Sequence, residues 1–307
     1  MAGPIVSIAV FAYNEEAGIA ACLDAIGACA AEARLRVHVL INGCRDRTEE
    51  VVRAYRPPEG DQGFELVPVV IQRGDKANAW NHYTHEVAPE DAAIHVFTDA
   101  DVMIAPGSIA GFLAAFAAAP EADACAGLPV SGRTRAAFRA NLVREKFIAG
   151  NLYALRDRCV MAFRRRGLRL PFGMFGEDGL VGTLIKWNLD TRGERDDRRI
   201  IACEAAGFSY PSLSPFRPGD WRIYHNRMMR YAVRRQQANM LYPLLWEEGA
   251  AAMPAHVLDL YRARHRHMRL RWNGLNTWFD WRACRRIRRD ILADDSVRQA
   301  ERAHLYS

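Results

Sequence analysis

Two acidic pairs stand where carboxylates can do metal and proton chemistry. Asp99 and Asp101 form an Asp-x-Asp directly after the apolar run AAIHVFT at 92–98. Two hard carboxylates on one short loop suit Mg²⁺ or Mn²⁺ held jointly with substrate phosphates. Such an ion would neutralise a diphosphate that bare carboxylates repel. A turn or a helix cap uses the same residues, and it is the strand before them that favours the metal. Glu177 and Asp178 follow the glycine-rich stretch PFGMFGEDG at 171–179. Acids at a helix start are favoured by the helix dipole alone. Beside a metal site, they also suit a general base.

Other polar groups follow other strand-like runs. Tyr13, Asn14 and Glu15 come after IVSIAVFA, and Asn42-Gly43-Cys44-Arg45-Asp46 comes after RVHVLI. Ligands of α/β sheets bind beyond the carboxyl ends of the strands, so these groups belong to one rim.

The elements that position them alternate between two periods. Strands are expected at 5–12, 36–41, 64–71, 92–98 and 122–130. Helices are expected at 15–31, 48–55, 75–87 and 106–119, with Asp46 or Thr48 capping the second. This alternation predicts an α/β fold with a mostly parallel, Rossmann-like sheet flanked by helices. Beyond Arg133 the pattern predicts a helix over 134–163, a helix over 180–189 and a strand over 198–210. A loop at 211–219 then leads to a helical C-terminal extension: 221–248, and 254–292 interrupted at Asn273–Gly274. The domain boundary falls at 215/216, giving a catalytic domain over 1–215 and a basic helical extension over 216–307.

Half of the 307 residues are hydrophobic and a quarter are charged, which excludes a chain disordered throughout. The net charge of +6 is uneven. Residues 1–210 hold 24 basic and 27 acidic residues, whereas 211–307 hold 18 basic and 9 acidic. Ten arginines lie within 261–290, interleaved with Trp272, Trp278 and Trp281. Tyr261, Met268, Trp272, Leu275 and Phe279 fall near helical spacing. Either this stripe packs inward while the arginines are solvated, or the segment seats on an anionic membrane surface. Seven widely spaced cysteines without a Cys-x-x-Cys suit free thiols in a reducing cytosol. No stretch approaches the roughly 18 apolar residues of a membrane span. The start, MAGPIVSIAVFAYNEE, reads as a strand and not as a signal peptide.

Five segments, in this order over roughly residues 4–190, resemble family-2 inverting glycosyltransferases: IVSIAVFAYNEE, VHVLINGCRDRTEEVV, GDKANAWN, FTDADV and FGEDGLVGTLI. The resemblance implies a GT-A fold with an acceptor-side extension. It implies that Tyr13, Asn14 and Glu15 line the nucleoside pocket, and that Asn42 and Asp46 belong to the loop at the base and ribose. Lys76 would lie near the nucleotide. Asp99 would face the ribose and diphosphate and share the metal with Asp101. Asp178, with Glu177 beside it, would be the catalytic base that deprotonates an acceptor hydroxyl.

Some GT-A enzymes use a downstream histidine as a further metal ligand. His225 takes that place here, with an ordinary packed histidine as the alternative. Arg227 and Arg230, three apart on one helix, would both reach a diphosphate or form a solvated face. Departures from the family are Asn42 in place of an aspartate and Cys44 in place of a serine. Arg227-Met-Met-Arg230-Tyr231 matches the Gln-x-x-Arg-Trp motif of processive synthases only in part.

The expected activity is metal-dependent, inverting transfer of a sugar from a nucleotide-diphosphate donor, UDP-sugars favoured. The cofactor is Mg²⁺ or Mn²⁺. The acceptor is unidentified, and a lipid-linked acceptor would accord with a cytoplasmic enzyme held peripherally on the inner membrane face. The rival is a non-catalytic membrane- or nucleic-acid-binding protein acting through its basic tail. No segment resembles a nucleic-acid module, so no nucleic-acid partner is expected. A sugar nucleotidyltransferase would carry a glycine-rich, arginine-bearing loop where this chain has AYNEEAG.

Overall fold

The computed structural model describes residues 3–57, 63–210 and 217–305. The chain forms two compact units, Met1–Arg169 with Gly176–Ser212, and Leu170–Phe175 with Leu213–Ser307. The glycine-rich stretch is thus divided between them at Gly176.

The first unit runs, in chain order, β1 (Ile5–Ala12), α1 (Ile19–Gly27), β2 (Arg34–Asn42), α2 (Thr48–Ala54), β3 (Phe64–Ile71) and α3 (Lys76–His82). It continues with β4 (Ile94–Asp99), β5 (Met103–Ile104), α4 (Ser108–Ala118), β6 (Ala124–Pro129) and α5 (Arg135–Glu145). It ends with β7 (Leu152–Arg156), α6 (Asp157–Arg165), α7 (Glu177–Lys186) and β8 (Ile200–Ser209). A π-helical turn, Tyr83–Val87, extends α3. The strands form one sheet in the order β3-β2-β1-β4-β7-β6-β8-β5. β1 lies inside the sheet and is buried along seven of its eight residues. That burial on both faces is why its sequence is an unbroken apolar run. β3 is an edge strand, which tolerates Pro68 because a ladder donor is dispensable there.

The helix expected over 134–163 is instead α5, β7 and α6. Leu152–Arg156 pairs antiparallel with both β4 and β6 and is almost wholly buried. LYALR has good helix formers, but sheet pairing on both edges outweighs propensity here. β5 was not foreseen at all. Among the described residues, four pairings are parallel and three antiparallel, so the sheet is mixed. α1 begins at Ile19 and not at residue 15, because residues 15–18 form a turn closed by Gly18 N–H on the Glu15 carbonyl. α4 starts just beyond Pro106. Glu32 caps it, accepting from Gly107 N (2.7 Å) and Ala110 N (2.8 Å).

Two packed layers position the functional rim. On one side, Ile8 and Val10 of β1 pack with Leu23 and Ile26 of α1, Val37 of β2 and Phe112 of α4, all solvent-free. On the other, Phe97 of β4 stacks on Tyr153 of β7 at 4.8 Å, and Trp80 of α3 meets Phe163 at 5.0 Å. Trp80 Nε1 donates to the Tyr153 hydroxyl at 3.1 Å. Burying aromatic side chains of this size contributes about 1.5–3 kcal/mol each. Together they hold α3 in fixed relation to β4 and β7.

The second unit contains α8 (Pro218–Glu248), α9 (Val257–Arg264) and α10 (Leu275–Leu305). Residues 211–216 of the expected loop lie outside the described residues; α8 then opens on Pro218, a residue suited to a helix start. A small core joins Ala232 and Val233 of α8 to Phe279 and Ala283 of α10. Buried Gln237 donates to the Gly173 carbonyl (2.8 Å) and accepts from Phe175 N (2.8 Å), which fixes the 170–175 segment. Asp280, fully buried, takes a bidentate pair from Arg271 at 2.8 and 2.9 Å. Among the described residues, no helix is long and apolar enough to cross a membrane.

Candidate active site

The carboxyl ends of β1, β2 and β4 are flush, with Ala12 opposite Ile41 and Phe11 opposite Asp99. Chain order turns back between β2 and β4, on either side of β1. The rim above them is therefore a topological switch point.

Much of the polar sequence on this rim is spent on lashing loops together. Asn14 adopts a left-handed backbone (φ 55°), and its Oδ1 accepts from Arg45 N at 2.8 Å. Cys44 Sγ donates to the Ala12 carbonyl at 3.4 Å and accepts from Asn14 N at 3.3 Å. Asp46 accepts from Glu16 N at 3.0 Å and from Thr48 N at 3.1 Å, and Thr48 Oγ1 accepts from Glu15 N at 2.8 Å. Burial alone would raise the Asp46 carboxyl, but the Thr48 hydroxyl, donating to Oδ1 at 2.5 Å, and the Glu16 and Thr48 amides hold it below the usual carboxylate range. Gly43 (φ 66°) runs against Gly74, where a Cβ would lie 2.5 Å from the Gly74 nitrogen, so backbone meets backbone where β2 and β3 exit. Buried Asn42 accepts from Asp75 N (3.0 Å), and Asp75 caps α3 by accepting from Asn78 N (2.8 Å). Lys76 is thereby set at the first position of α3.

Lys76 is the hub. Its Nζ lies 2.5 Å from Asp99 Oδ1 and 3.0 Å from Glu177 Oε1, and 5.2 Å from the Phe11 ring centroid. Burial would lower the Lys76 pKa, but Asp99 and Glu177 outweigh it and hold the ammonium above its ordinary value. Glu177 is buried, whereas Asp178 beside it is half-buried. Asp178 Oδ2 accepts from Gly150 N at 3.0 Å, and Oδ1 accepts from Gly179 N at 2.8 Å. A Cβ at Gly150 would stand 3.0 Å from Lys76 Nζ and 3.3 Å from Glu177 Oε1, so the loop before β7 passes closely against the cluster.

The rim's acids strain one another. Burial, then Asp101, Asp99 and Asp46, raise Glu15 to about 7. Asp99 rises to about 6, chiefly by burial, despite its pairing with Lys76. Asp101 is exposed. Carboxylates that resist ionising together suit a cation. The donors are hard oxygens, which fits Mg²⁺ or Mn²⁺. Among the described residues, no group of three or more His, Cys, Asp or Glu side chains is placed to hold a metal ion. Mg²⁺ commonly takes one or two carboxylates, with substrate phosphates and water completing its shell, so the donor set fits a metal that arrives with a diphosphate.

Lys76, Asp99, Glu177 and Asp178 therefore converge, with Glu15 and Asp101 alongside. Tyr13 stands exposed on the same rim. His225 and Arg230 lie in the second unit. The His225 ring packs against Trp278 (6.0 Å) and Phe279 (5.6 Å), Arg227 is half-buried and Arg230 is exposed on α8. Sequence reading missed the Gly150 loop and the Thr48 latch. Gly150-Asn151, inside what read as one helix, was the available signal.

The profile described as Glycosyl transferase family 2 matches residues 7–172. That is just over half of the chain, which therefore belongs to glycosyl transferase family 2 and is a glycosyltransferase. Among solved structures, a mannosyltransferase from Pyrobaculum calidifontis in complex with GDP-Man and Mn²⁺ is 21% identical, with a TM-score of 0.60 over 99% of this chain and 80% of that one. This likeness shows the fold, which is of the GT-A type. Glucosyl-3-phosphoglycerate synthase from Mycobacterium tuberculosis, in complex with Mn²⁺, UDP and phosphoglyceric acid, is 21% identical over 76% of this chain and 78% of its own, with a TM-score of 0.48. S. aureus TarS 1–349 is 13% identical over 84% and 72%, with a TM-score of 0.47. No curated protein matches the sequence.

Proposed function

We propose that this glycosyltransferase is metal-dependent and inverting, and moves a sugar from a nucleotide-diphosphate donor, with UDP-sugars favoured, to an acceptor hydroxyl. The observation that carries the reading is the convergence of Lys76, Asp99, Glu177 and Asp178 at the switch-point rim. Asp101, with Asp99, would hold Mg²⁺ or Mn²⁺. The bound ion would neutralise the leaving diphosphate. Tyr13, Asn14, Glu15, Asn42 and Asp46 border the space for the nucleoside.

Asp178 acts as the base. Its oxygens accept from the backbone N–H groups of Gly150 and Gly179, which orients the carboxylate for a proton transfer. The deprotonated hydroxyl attacks the sugar C1 from the face opposite the diphosphate, and the C1–O bond to the diphosphate breaks. One displacement inverts the anomeric centre. Glu177, buried and paired with Lys76, positions α7 and hence Asp178. A donor screen with UDP- and GDP-sugars, with and without Mn²⁺, tests the reading. Asp178→Asn should keep Mn²⁺-dependent nucleotide binding and lose transfer; measurable transfer by that variant removes Asp178 from the role.

The second unit supports peripheral seating on an anionic membrane surface at the inner face of the cell membrane, near a lipid-linked acceptor. Tyr261 and Phe279 of the aromatic stripe pack inward, but Trp272 and Leu275 are 86% and 77% exposed. Trp278 and Trp281 are also exposed, with the Arg282 and Arg285 guanidiniums each 4.8 Å from their ring centroids. Arginine over exposed tryptophan suits a headgroup layer. Vesicle co-sedimentation at low salt should favour anionic over neutral lipid and weaken in Trp278→Ala/Trp281→Ala. Equal sedimentation with both lipids would remove this seating.

A further inference from the structure

A cavity of about 230 Å³ opens on the first unit, lined by Asp123, Arg158, Arg165, Asn188 and Arg199 together with apolar groups. Asp123 and Arg199 immediately precede β6 and β8. These strands are parallel to each other and, through antiparallel β7, to β4. Asp99 ends β4, so the cavity lies at the end of the sheet opposite the catalytic rim.

Its lining carries three guanidiniums against one carboxylate. Both Asp123 oxygens are engaged: Oδ1 accepts from Arg158 Nε at 2.7 Å, and Oδ2 accepts from Arg199 Nη1. Arg158 is further fixed by donating to the carbonyls of Pro120 (2.8 Å) and Ala122 (3.2 Å). Two guanidiniums are thus held rigidly by a single negative charge, and several of their donors remain for another acceptor. The Arg165 side chain, exposed on the last turn of α6, makes no hydrogen bond or ion pair among the described residues.

The first turn of α6 adds to this. Arg158 and Cys159 lie in it, and Arg156 at the cap provides no side-chain hydrogen bond to its amides. Its positive dipole end thus borders the cavity together with the arginines, offset in part by the Asp157 carboxylate of the same turn, which faces His95 Nε2 at 3.2 Å. The opposite partial charge comes from the end of α7 at Ile185, about half an elementary charge, which two net positive charges outweigh. That end closes through Asn188 and Leu189, both in the left-handed region (φ 51° and 62°), where a leucine is strained.

We propose that this cavity is a second ligand site that binds a small phosphate-class dianion, either inorganic phosphate or a short phosphate ester. It is smaller than the roughly 300–1,000 Å³ of ordinary ligand pockets, which excludes a whole nucleotide-sugar. The site stands independently of the donor chemistry at the rim.

Calorimetric titration of the full chain with inorganic phosphate, and separately with methyl phosphate, tests it. EDTA and constant ionic strength are used so that the acidic rim has no cation to attract an anion. The expected result is saturable binding near or below about 1 mM, weakened about tenfold by Arg165→Ala, less by Arg165→Lys, and unchanged by Asp101→Ala. Tighter binding of methyl phosphate would identify an ester as the natural ligand; tighter binding of phosphate would identify the free ion. Hydrogen exchange with saturating phosphate should slow at the start of α6 and around residues 185–189. Absence of saturable binding, equal affinity in Arg165→Ala, or protection at the rim instead would overturn the proposal.

Discussion

Replacing Lys76 by methionine tests the hub of the site through stability alone. Methionine keeps an apolar stem near Phe11 and removes only the charge. Asp99 and Glu177 are then left facing each other without the ammonium that stands 2.5 and 3.0 Å from them. Breaking a fully buried pair costs about 3–5 kcal/mol, whereas a solvated pair is worth about 0–1. Lys76 and Asp99 side chains are 29% exposed and Glu177 is 9% exposed, so the site lies between these limits. We expect a loss of about 2 kcal/mol, or about 4–8 °C in Tm for a unit of about 200 residues.

The pH dependence has a definite sign. Asp99 in the folded chain lies at about 6, above its ordinary value of 3.8, so its contribution to stability falls as pH rises from about 4 through 6. Without Lys76 the carboxyl moves higher still. At pH 5 it takes up a proton and relieves the repulsion, so the Lys76→Met cost should be larger at pH 8 than at pH 5. Urea unfolding at both pH values measures this. Glu177→Gln in the same background should recover part of the loss, as a double-mutant cycle reads. A loss under about 0.5 kcal/mol at pH 8, or one equal at both pH values, would refute the hub.

Three further outcomes follow from the same geometry. Gly150→Ala places a methyl 3.0 Å from Lys76 Nζ and 3.3 Å from Glu177 Oε1. Transfer should fall about tenfold while stability shifts by less than about 1 kcal/mol, as steady-state kinetics and urea unfolding would show. Glu15 at about 7 and Asp99 at about 6 hold protons that a cation must displace. Mn²⁺ affinity should therefore weaken as pH falls from 8 to 6, with proton release seen by calorimetry in buffers of different ionisation enthalpy; a flat profile would contradict this. Glu32→Ala removes the acceptor of two α4 amides and should cost about 1 kcal/mol in thermal unfolding.

The strands that carry the rim were legible because β1, β2 and β4 are apolar runs ending in polar groups, and burial on both faces leaves that trace. β7 was not, since Leu152–Arg156 has no strand signal of its own and takes its form from β4 and β6. The same error hid Gly150, which acts on Asp178 across 28 residues of sequence. Asp101 and Asp178 stood out by their positions in short motifs. That Lys76 joins Asp99 to Glu177 depends on three separate elements meeting, which no local pattern encodes. Asn14, Asn42 and Asp46 looked like ligand-facing groups, yet each has a backbone amide as a partner, because exits from a tightly packed sheet must satisfy their own donors.

The most direct measurement is the thermal protection of the wild-type chain and of Asp101→Ala by UDP and GDP, each with and without Mn²⁺. A nucleotide-diphosphate site completed by a metal at Asp101 should give protection that requires Mn²⁺ in the wild type and disappears in Asp101→Ala. Protection by neither nucleotide, or equal protection without Mn²⁺ and in the variant, would contradict a metal-dependent donor site on this rim.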